Sequence, residues 1–236
     1  MKIVISCAGS KVTCAKPTCA NPDGYMQTKD GKPVMFVAQP LFAPKCDNVI
    51  FKTPDDLSDD EPVSWRTRLQ KYNQAYSKTP EDNPWKLCKA YMLYENEIYR
   101  ALEKRFGVDM YILSAGWGMI RADFLTPGYD ITFSPKARGD DFYKRRKKAD
   151  PYQDFCMLPD DGDGPIAFFG GKDYIPLFCS LTEKYRSPRI VFHSSAISQD
   201  DAPGCKLEKF GKRSYTNWHY ECANNFVNGD LRIDTN

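Results

Sequence analysis

Four short apolar runs, widely separated along the chain, constrain its fold more than any other feature of the sequence. Each run is continuously apolar and leads into glycine or small hydroxyl residues; the runs are residues 3–7, 110–115, 165–171 and 189–194. Continuous apolar strands are typical of a parallel sheet that is covered on both faces, and the long intervals leave room for the crossovers that parallel strands need. The sequence therefore predicts an α/β fold with three layers, α/β/α, around a mainly parallel central sheet of four strands.

The intervals between these runs are long enough to hold helices and one large insertion. Asn83 and Pro84 have the pattern of a helix start and Gly107 that of a helix stop, which predicts a helix over residues 84–106. Further helices are predicted over residues 65–76, 173–185 and 216–226. Residues 12–83 are too many for a simple loop, so we expect a long insertion or lid within a single domain of residues 1–236.

The composition excludes several classes of protein. Thirty-three Lys and Arg residues against 31 Asp and Glu give a net charge of +2, which fits neither a disordered acidic chain nor a histone-like polycation. No apolar run approaches the roughly 20 residues that cross a bilayer, and the first residues do not form a secretion signal. The nine cysteines include no CxxC pair, which favours reduced thiols over a disulfide scaffold or a zinc site. We therefore expect a cytoplasmic protein without a membrane segment, a metal or a cofactor.

The first predicted strand leads into a turn of small residues that ends in Ser10 and Lys11. The carboxyl ends of parallel strands meet at one edge of a sheet, where open α/β folds bind ligands. A small turn with a hydroxyl and an ammonium group presents backbone N–H groups and a cation to a phosphate or to a polar base edge, although this turn lacks the spacing of a P-loop. Both residues are therefore candidates for a binding site.

The second predicted strand is followed by the most specific stretch in the chain. Gly116 and Gly118 flank Trp117, which allows close backbone approach beside an aromatic ring. Asp123 and Asp130 then place two carboxylates within a few residues of that ring. The stretch is interpreted either as a stacking platform with catalytic carboxylates or as a turn with a packed tryptophan and capping aspartates.

The third and fourth strands and two basic segments supply the remaining candidates. His193 stands at a strand exit beside hydroxyl residues, where it is either a site residue or a hydrogen-bonded structural histidine. Clustered cations near aromatic residues suit contacts to a phosphate backbone, although such runs are often only solvated surface. The strand-exit candidates are Gly170, Gly171, Lys172, Tyr174, His193 and Ser194, and the basic candidates are Lys144, Arg145, Arg146, Lys147, Lys148 and Arg213.

Three segments together resemble the YaaA peroxide-stress proteins and a related set of bacterial and phage domains. The segments are SCAGSK at 6–11, LSAGWGMI at 113–120 and PGYD at 127–130. Trp117 stands where tyrosine is common in those families, and the resemblance covers about half of the chain in short islands. It implies binding to DNA. Four parallel strands, the last followed by His193 and Ser194, also look like the uracil-DNA-glycosylase superfamily, although the acidic water-activating motif after that superfamily's first strand is missing here.

The leading hypothesis is a DNA glycosylase that flips a modified base out of double-stranded DNA and hydrolyses its N-glycosidic bond, in phage defence or DNA repair. Cleavage passes through an oxocarbenium-like state, which a fixed carboxylate stabilises. The catalytic candidates are Asp123, Asp130 and His193. The base-pocket candidates are Ser10, Lys11, Gly116, Trp117, Gly118, Tyr129, Gly170, Gly171, Lys172, Tyr174 and Ser194.

Two alternatives remain open. One is a YaaA-like DNA-binding protein without turnover, which needs the basic residues but not both aspartates. The other is a nucleoside hydrolase or deoxyribosyltransferase acting on free nucleotides, which needs the pocket but not the basic run.

Overall fold

The computed structural model describes residues 1–12, 23–59, 61–77, 82–159, 164–211 and 217–233 of the chain. These residues form a mixed α/β structure. The strands are β1 (Lys2–Ser6), β2 (Met26–Gln27), β3 (Pro33–Val37), β4 (Ile50–Lys52), β5 (Cys88–Lys89), β6 (Met110–Ser114), β7 (Gly118–Arg121), β8 (Leu125–Thr126), β9 (Tyr129–Asp130), β10 (Phe155–Cys156), β11 (Ile166–Phe169), β12 (Arg189–His193) and β13 (Lys206–Lys209). The α-helices are α1 (Trp65–Tyr76), α2 (Ile98–Phe106), α3 (Ile175–Leu181) and α4 (Trp218–Asn228).

Within the described residues, the central sheet has seven strands in the order β10-β7-β6-β1-β11-β12-β13. The four predicted strands are its third to sixth, β6, β1, β11 and β12, and they run parallel to one another. The prediction of a mainly parallel sheet is therefore confirmed, but the predicted number of four strands is wrong. Strand β7 is antiparallel to β6, and β13, with the sequence KLEK, carries no apolar run because it lies at an edge of the sheet.

The central strands are continuously apolar because both faces of the sheet are buried. Ile3 and Ile5 of β1 belong to one buried cluster, and Val4 between them belongs to another. Helices α2 and α4 contact each other, and α4 contacts β11 and β12. Helix α3 contributes Phe178, which stacks on Phe168 of β11 with ring centroids 4.8 Å apart in the second cluster.

The described part of residues 12–83 contains a second sheet and a helix. Strands β2, β3 and β4 pair in that order, and β9 pairs with β3. Helix α1 has the bounds that the sequence predicts, and the Ser64 side chain caps it by accepting a hydrogen bond from the Thr67 N–H at 3.2 Å. Phe36 of β3 and Trp65 of α1 are fully buried in the larger cluster of the central sheet. These described parts thus share the core that covers one face of the central sheet.

The predicted helix over 84–106 is wrong in its first half. Only α2 is α-helical there, and Gly107 ends it with a positive φ of 48° as predicted. Upstream, the Ala90 and Tyr91 N–H groups donate to the carbonyls of Phe124 and Ala122 at 2.9 and 3.0 Å. These long-range backbone bonds replace the helical ones, so apolar residues spaced three and four apart become buried without forming a helix.

Two predicted absences concern membranes and disulfides. In the described ranges no helix is both long and apolar enough to span a bilayer. Among the cysteines that the structure describes, six are free, whereas Cys46 is disulfide-bonded, so the expectation of reduced thiols does not hold at Cys46.

The second histidine gives the fold a pH dependence. His219 of α4 packs 4.1 Å from the ring of Tyr220, and burial lowers its pKa to about 4. In the unfolded chain this histidine takes up a proton below about pH 6.5, but in the folded protein it stays neutral until about pH 4. Its contribution to stability is therefore complete above about pH 6.5 and declines as the pH falls towards 4.

We expect the free energy of unfolding to drop by on the order of 2 kcal/mol between pH 6.5 and pH 4 through this residue alone. Urea titrations across that range measure the drop, and His219→Gln should flatten it. His193→Gln is the matched control and should leave the drop in place. An equal drop in the His219→Gln protein would show that another group causes it.

Candidate active site

Trp117 and Tyr129, predicted to stack on a base, are packed inside the protein. Their exposed fractions are 0% and 1%. The Trp117 ring lies edge-on to Phe36 with centroids 5.0 Å apart and also contacts Tyr129 at 6.4 Å. Because no face of either ring reaches a cavity or solvent, the stacking role predicted for them is wrong.

The two glycines beside Trp117 serve this packing. A Cβ at Gly118, where φ is +83°, would lie 2.4 Å from the Phe155 carbonyl oxygen of β10. A Cβ at Gly116 would lie 3.1 Å from the side chain of Ile131. Both glycines therefore allow close approach of the protein's own chain, not of a ligand.

Two buried arginines hold the loop that follows β6. Arg66 of α1 donates to the carbonyls of Gly116 and Trp117 at 2.9 and 3.1 Å. Arg146 donates to the Ala115 carbonyl at 2.8 Å. Each guanidinium is neutralised by a carboxylate, Asp55 for Arg66 at 2.6 Å and Asp154 for Arg146 at 2.6 Å. Three consecutive carbonyls are thus satisfied by charged donors that have left water.

The backbone geometry of the basic run, residues 144–148, turns some of its side chains inward and leaves others exposed. Residues 144–146 run beside Thr132, whose N–H donates to the Lys144 carbonyl and whose carbonyl accepts from the Arg146 N–H, both at 2.9 Å. Alternate side chains of an extended segment point to opposite sides. Lys144 and Arg146 are accordingly turned to internal partners, while Lys147 is exposed.

Two of the predicted phosphate-binding residues, Lys144 and Arg146, are therefore not free to bind DNA. Arg146 is only 4% exposed and donates to the Ala115 carbonyl of the loop after β6, so its predicted phosphate contact is wrong. Lys148 is exposed and lies 3.9 Å from Asp173. Arg145 is half-buried, and Arg213 lies outside the described residues.

A cavity of about 310 Å³ opens at the carboxyl edge of β1 and brings several predicted residues together. The chain enters it directly after β1, and β9 delivers Asp130 because Tyr129 and Asp130 pair with β3. Its charged and phenolic side chains are Lys11, Asp130, Lys136, Asp141, Lys144 and Tyr174. This cavity is the candidate active site, called below the carboxyl-edge pocket.

Asp130 is held in the carboxyl-edge pocket by an ion pair with Lys144. The Lys144 Nζ lies 3.0 Å from Asp130 Oδ2 and 2.8 Å from Asp141 Oδ1. Burial lowers the pKa of Lys144, but the hydrogen bonds to the two carboxylates outweigh burial and raise the pKa above its usual value. Lys144 consequently stays cationic and occupies one oxygen of Asp130.

Lys11 is the buried amine of the pocket, with an exposed fraction of 5%. Its Nζ lies over the Tyr129 ring, 4.7 Å from the centroid. Burial lowers the pKa of this amine; the charges of Cys7 and Asp130 act in the opposite direction and do not cancel it. Within the part of the chain that the structure describes, no carboxylate lies within 4 Å of this ammonium group.

Neutral phenols surround this amine. Ser114 donates to the Tyr129 hydroxyl at 2.9 Å, and the Tyr129 and Tyr94 hydroxyls share a hydrogen bond of 2.8 Å. The Tyr174 hydroxyl lies 3.1 Å from the Cys7 sulfur. Burial raises the pKa of all three tyrosines, so they remain uncharged and give Lys11 no anionic neighbour.

The other predicted catalytic carboxylate, Asp123, lies elsewhere. It pairs with Arg121 at 2.7 Å at the end of β7. Because β7 runs antiparallel to β6, with Arg121 opposite Tyr111, this end lies at the amino edge of the sheet. Four residue steps of β6 separate the two edges, roughly 13 Å. Asp123 and Asp130 therefore do not act on one substrate atom.

The candidates after β11 and β12 do not line the carboxyl-edge pocket, apart from Tyr174. The His193 Nδ1 contacts the Ser195 carbonyl oxygen at 2.9 Å, and β12 is two strands from β1, roughly 10 Å away. Lys172 lies 3.6 Å from Asp201. Gly170 allows close packing, since a Cβ there would lie 2.3 Å from the Phe168 ring.

Sequence reasoning missed Asp141, which lines the pocket, and Cys7, whose sulfur lies behind it against the Tyr174 hydroxyl. Cys7 is the first residue after β1, so its strand-exit position is a signal that was present in the sequence. Asp141 lies in a 3₁₀ helix over Gly139–Lys144, which brings its carboxylate to Lys144. No local sequence pattern identifies it as a site residue.

Arg146 and Lys147 are adjacent cations with opposite surroundings, which makes their contributions to stability separable. Arg146→Met leaves Asp154 buried without its partner and the Ala115 carbonyl without its donor, so the unfolding free energy should fall by about 3 kcal/mol. Lys147→Met removes an exposed cation and should change it by less than about 0.5 kcal/mol. Urea denaturation compares the two proteins. Equal effects of the two substitutions would contradict the role of Arg146 in stabilising the loop after β6.

Comparison of the chain with protein-family models, with curated proteins and with solved structures found no match. Among the described residues no group of three or more His, Cys, Asp and Glu side chains is arranged to hold a metal ion. The pocket's chemistry is that of a fixed carboxylate, a buried amine and a neutral phenol.

Proposed function

We propose that the protein is an N-glycosidic bond hydrolase of the DNA glycosylase type, with its active site in the carboxyl-edge pocket. The observation that carries the proposal is the fixed Asp130 carboxylate, held 3.0 Å from Lys144 in a cavity of about 310 Å³ that also contains Lys11. A cavity of this size lies at the lower end for small-molecule sites and suits one flipped nucleotide. A three-layer α/β/α arrangement of the domain is part of the same proposal.

Asp130 is the residue that stabilises the oxocarbenium-like state. Lys144 contacts its Oδ2, and the proposal assigns Oδ1 to the substrate or to an attacking water. The ion pair fixes the carboxylate before the substrate arrives, and such preorganised charge is worth more in a cavity than in water. Asp141 holds Lys144 from the other side at 2.8 Å, so the cation stays in place when Asp130 interacts with the sugar.

The departing base needs donors for the negative charge that develops on it. Tyr174 lines the pocket as a neutral phenol, since burial raises its pKa. Its hydroxyl lies beside the Cys7 thiol at 3.1 Å. These two groups take the place of His193 as the donors nearest to the base in this proposal.

DNA is proposed as the substrate because solvent-accessible cations remain in the segments that line the pocket. Lys136 lines the pocket mouth and Arg138, two residues on, is exposed. Arg145 and Lys147 follow Lys144 along the same segment. Four cations that line the pocket or follow its lining residues within three positions suit contacts to the phosphates that flank a flipped nucleotide.

Free nucleosides are the second candidate substrate. They are favoured by the burial or internal pairing of part of the basic run, residues 144–148. Arg146 is buried and Lys144 is paired within the pocket, which removes two of five consecutive cations from the DNA-binding set. A nucleoside hydrolase or transferase needs the same Asp130 and pocket but no phosphate contacts.

Asp130→Asn should reduce base release by at least about 100-fold, because the amide no longer stabilises positive charge at the sugar. The measurement is mass spectrometry of bases released from a panel of unmodified and hypermodified genomic DNAs, combined with an abasic-site assay. Asp123→Asn is the matched control, the same change at the opposite edge of the sheet, and should leave release unchanged. Release lost only in the Asp123→Asn protein would contradict this site.

The double variant Arg145→Ala/Lys147→Ala separates DNA from free nucleosides. On DNA, the slope of log affinity against log salt should become shallower by about 2, since each phosphate contact contributes about 0.9. Hydrolysis of free nucleosides should not change. Salt-dependent DNA binding without base release from any DNA or nucleoside would instead indicate a DNA-binding protein without turnover.

A further inference from the structure

We propose that Lys11 is a nucleophile that forms a Schiff base with the C1′ aldehyde of a deoxyribose, so that the protein cleaves the DNA strand at abasic sites. The identity of the sugar rests on the proposed function. The covalent chemistry rests on how the amine is held in the carboxyl-edge pocket.

The first support is that, among the residues the structure describes, no carboxylate forms an ion pair with Lys11. Lys144, Lys148 and Lys172 each lie within 4.0 Å of an aspartate. Lys11 lines the same pocket as Asp130, but the Lys144 cation occupies that carboxylate at 3.0 Å. Lys144 therefore forms the ion pair with Asp130 in place of Lys11. The Lys11 amine stays available for a substrate.

The second support is the medium around the amine. Lys11 is 95% buried, with its Nζ over the Tyr129 ring and the neutral Tyr174 and Tyr94 phenols close by. Burial disfavours the charged form of a lysine and lowers the pKa of Lys11, and the charges of Cys7 and Asp130 oppose this shift without cancelling it. A neutral amine carries the lone pair that attack on a carbonyl carbon requires.

The reaction balances without a cofactor or an oxidant. The Lys11 nitrogen adds to the C1′ aldehyde of an abasic deoxyribose, and loss of water gives a protonated imine. Asp130, one of the two carboxylates in the pocket, then takes a proton from C2′. The C3′–O bond breaks and the 3′ phosphate leaves as the 5′ phosphate of the downstream strand. Water hydrolyses the imine and returns the amine.

The test uses the full chain and an oligonucleotide with a preformed abasic site, which makes it independent of base release. Cyanoborohydride reduces the imine to a stable amine, and peptide mass spectrometry locates the adduct. We expect one adduct, on Lys11, together with strand cleavage when the reductant is omitted. Lys11→Met should lose at least about 100-fold of both. Lys104→Met, an exposed lysine of α2, is the matched control and should keep both.

Mapping the adduct in the wild-type protein keeps the test valid even if Lys11→Met folds poorly. No adduct, or an adduct on another lysine, overturns the inference. Base release by the wild-type protein without a trapped adduct is consistent with a hydrolytic glycosylase. It overturns only the assignment of Lys11 as a nucleophile. Trapping on Lys11 without base release from any DNA keeps this inference and overturns the proposed glycosylase.

Discussion

The anchoring of three loop carbonyls by two buried guanidinium groups is the interaction on which the rest of the structure depends. Arg66 and Arg146 hold the carbonyls of residues 115–117, where the chain leaves β6 and turns back into β7. A turn inside the protein cannot satisfy its carbonyls with water, and charged donors with their own carboxylates supply the missing bonds. The turn then places Trp117 against Phe36, which joins the second sheet to the central one.

The same arrangement shapes the electrostatics of the carboxyl-edge pocket. The segment that carries Arg146 inward also carries Lys144 to Asp130, because the two cations alternate with Arg145 on an extended chain. Each cation that enters the protein on this segment meets a carboxylate. Lys11 enters from β1 instead and lies over an aromatic ring, and burial lowers its pKa more than the charges of Cys7 and Asp130 raise it.

The sequence predicted the central strands and α1 well because their signals are local. A continuously apolar run and a capped amphipathic segment depend on neighbours within a few residues. The helix over 84–106 failed because its first half is bonded to the carbonyls of Phe124 and Ala122. Periodic apolar residues such as Leu87 and Tyr94 are buried without lying in an α-helix. Periodicity alone therefore does not distinguish a helix from this irregular segment.

By itself, the sequence determined that parallel strands end at one edge and that Lys11 and Asp130 belong among the candidates there. Only the tertiary structure decided between residues that look alike in sequence. Asp123 and Asp130 are seven positions apart, yet the reversal at β7 sends one to the amino edge while pairing with β3 holds the other at the pocket. Trp117 and Tyr129 became core because Phe36, far away in sequence, covers the tryptophan ring. Burial and pairing of a side chain depend on such distant contacts, and no local pattern of residues encodes them.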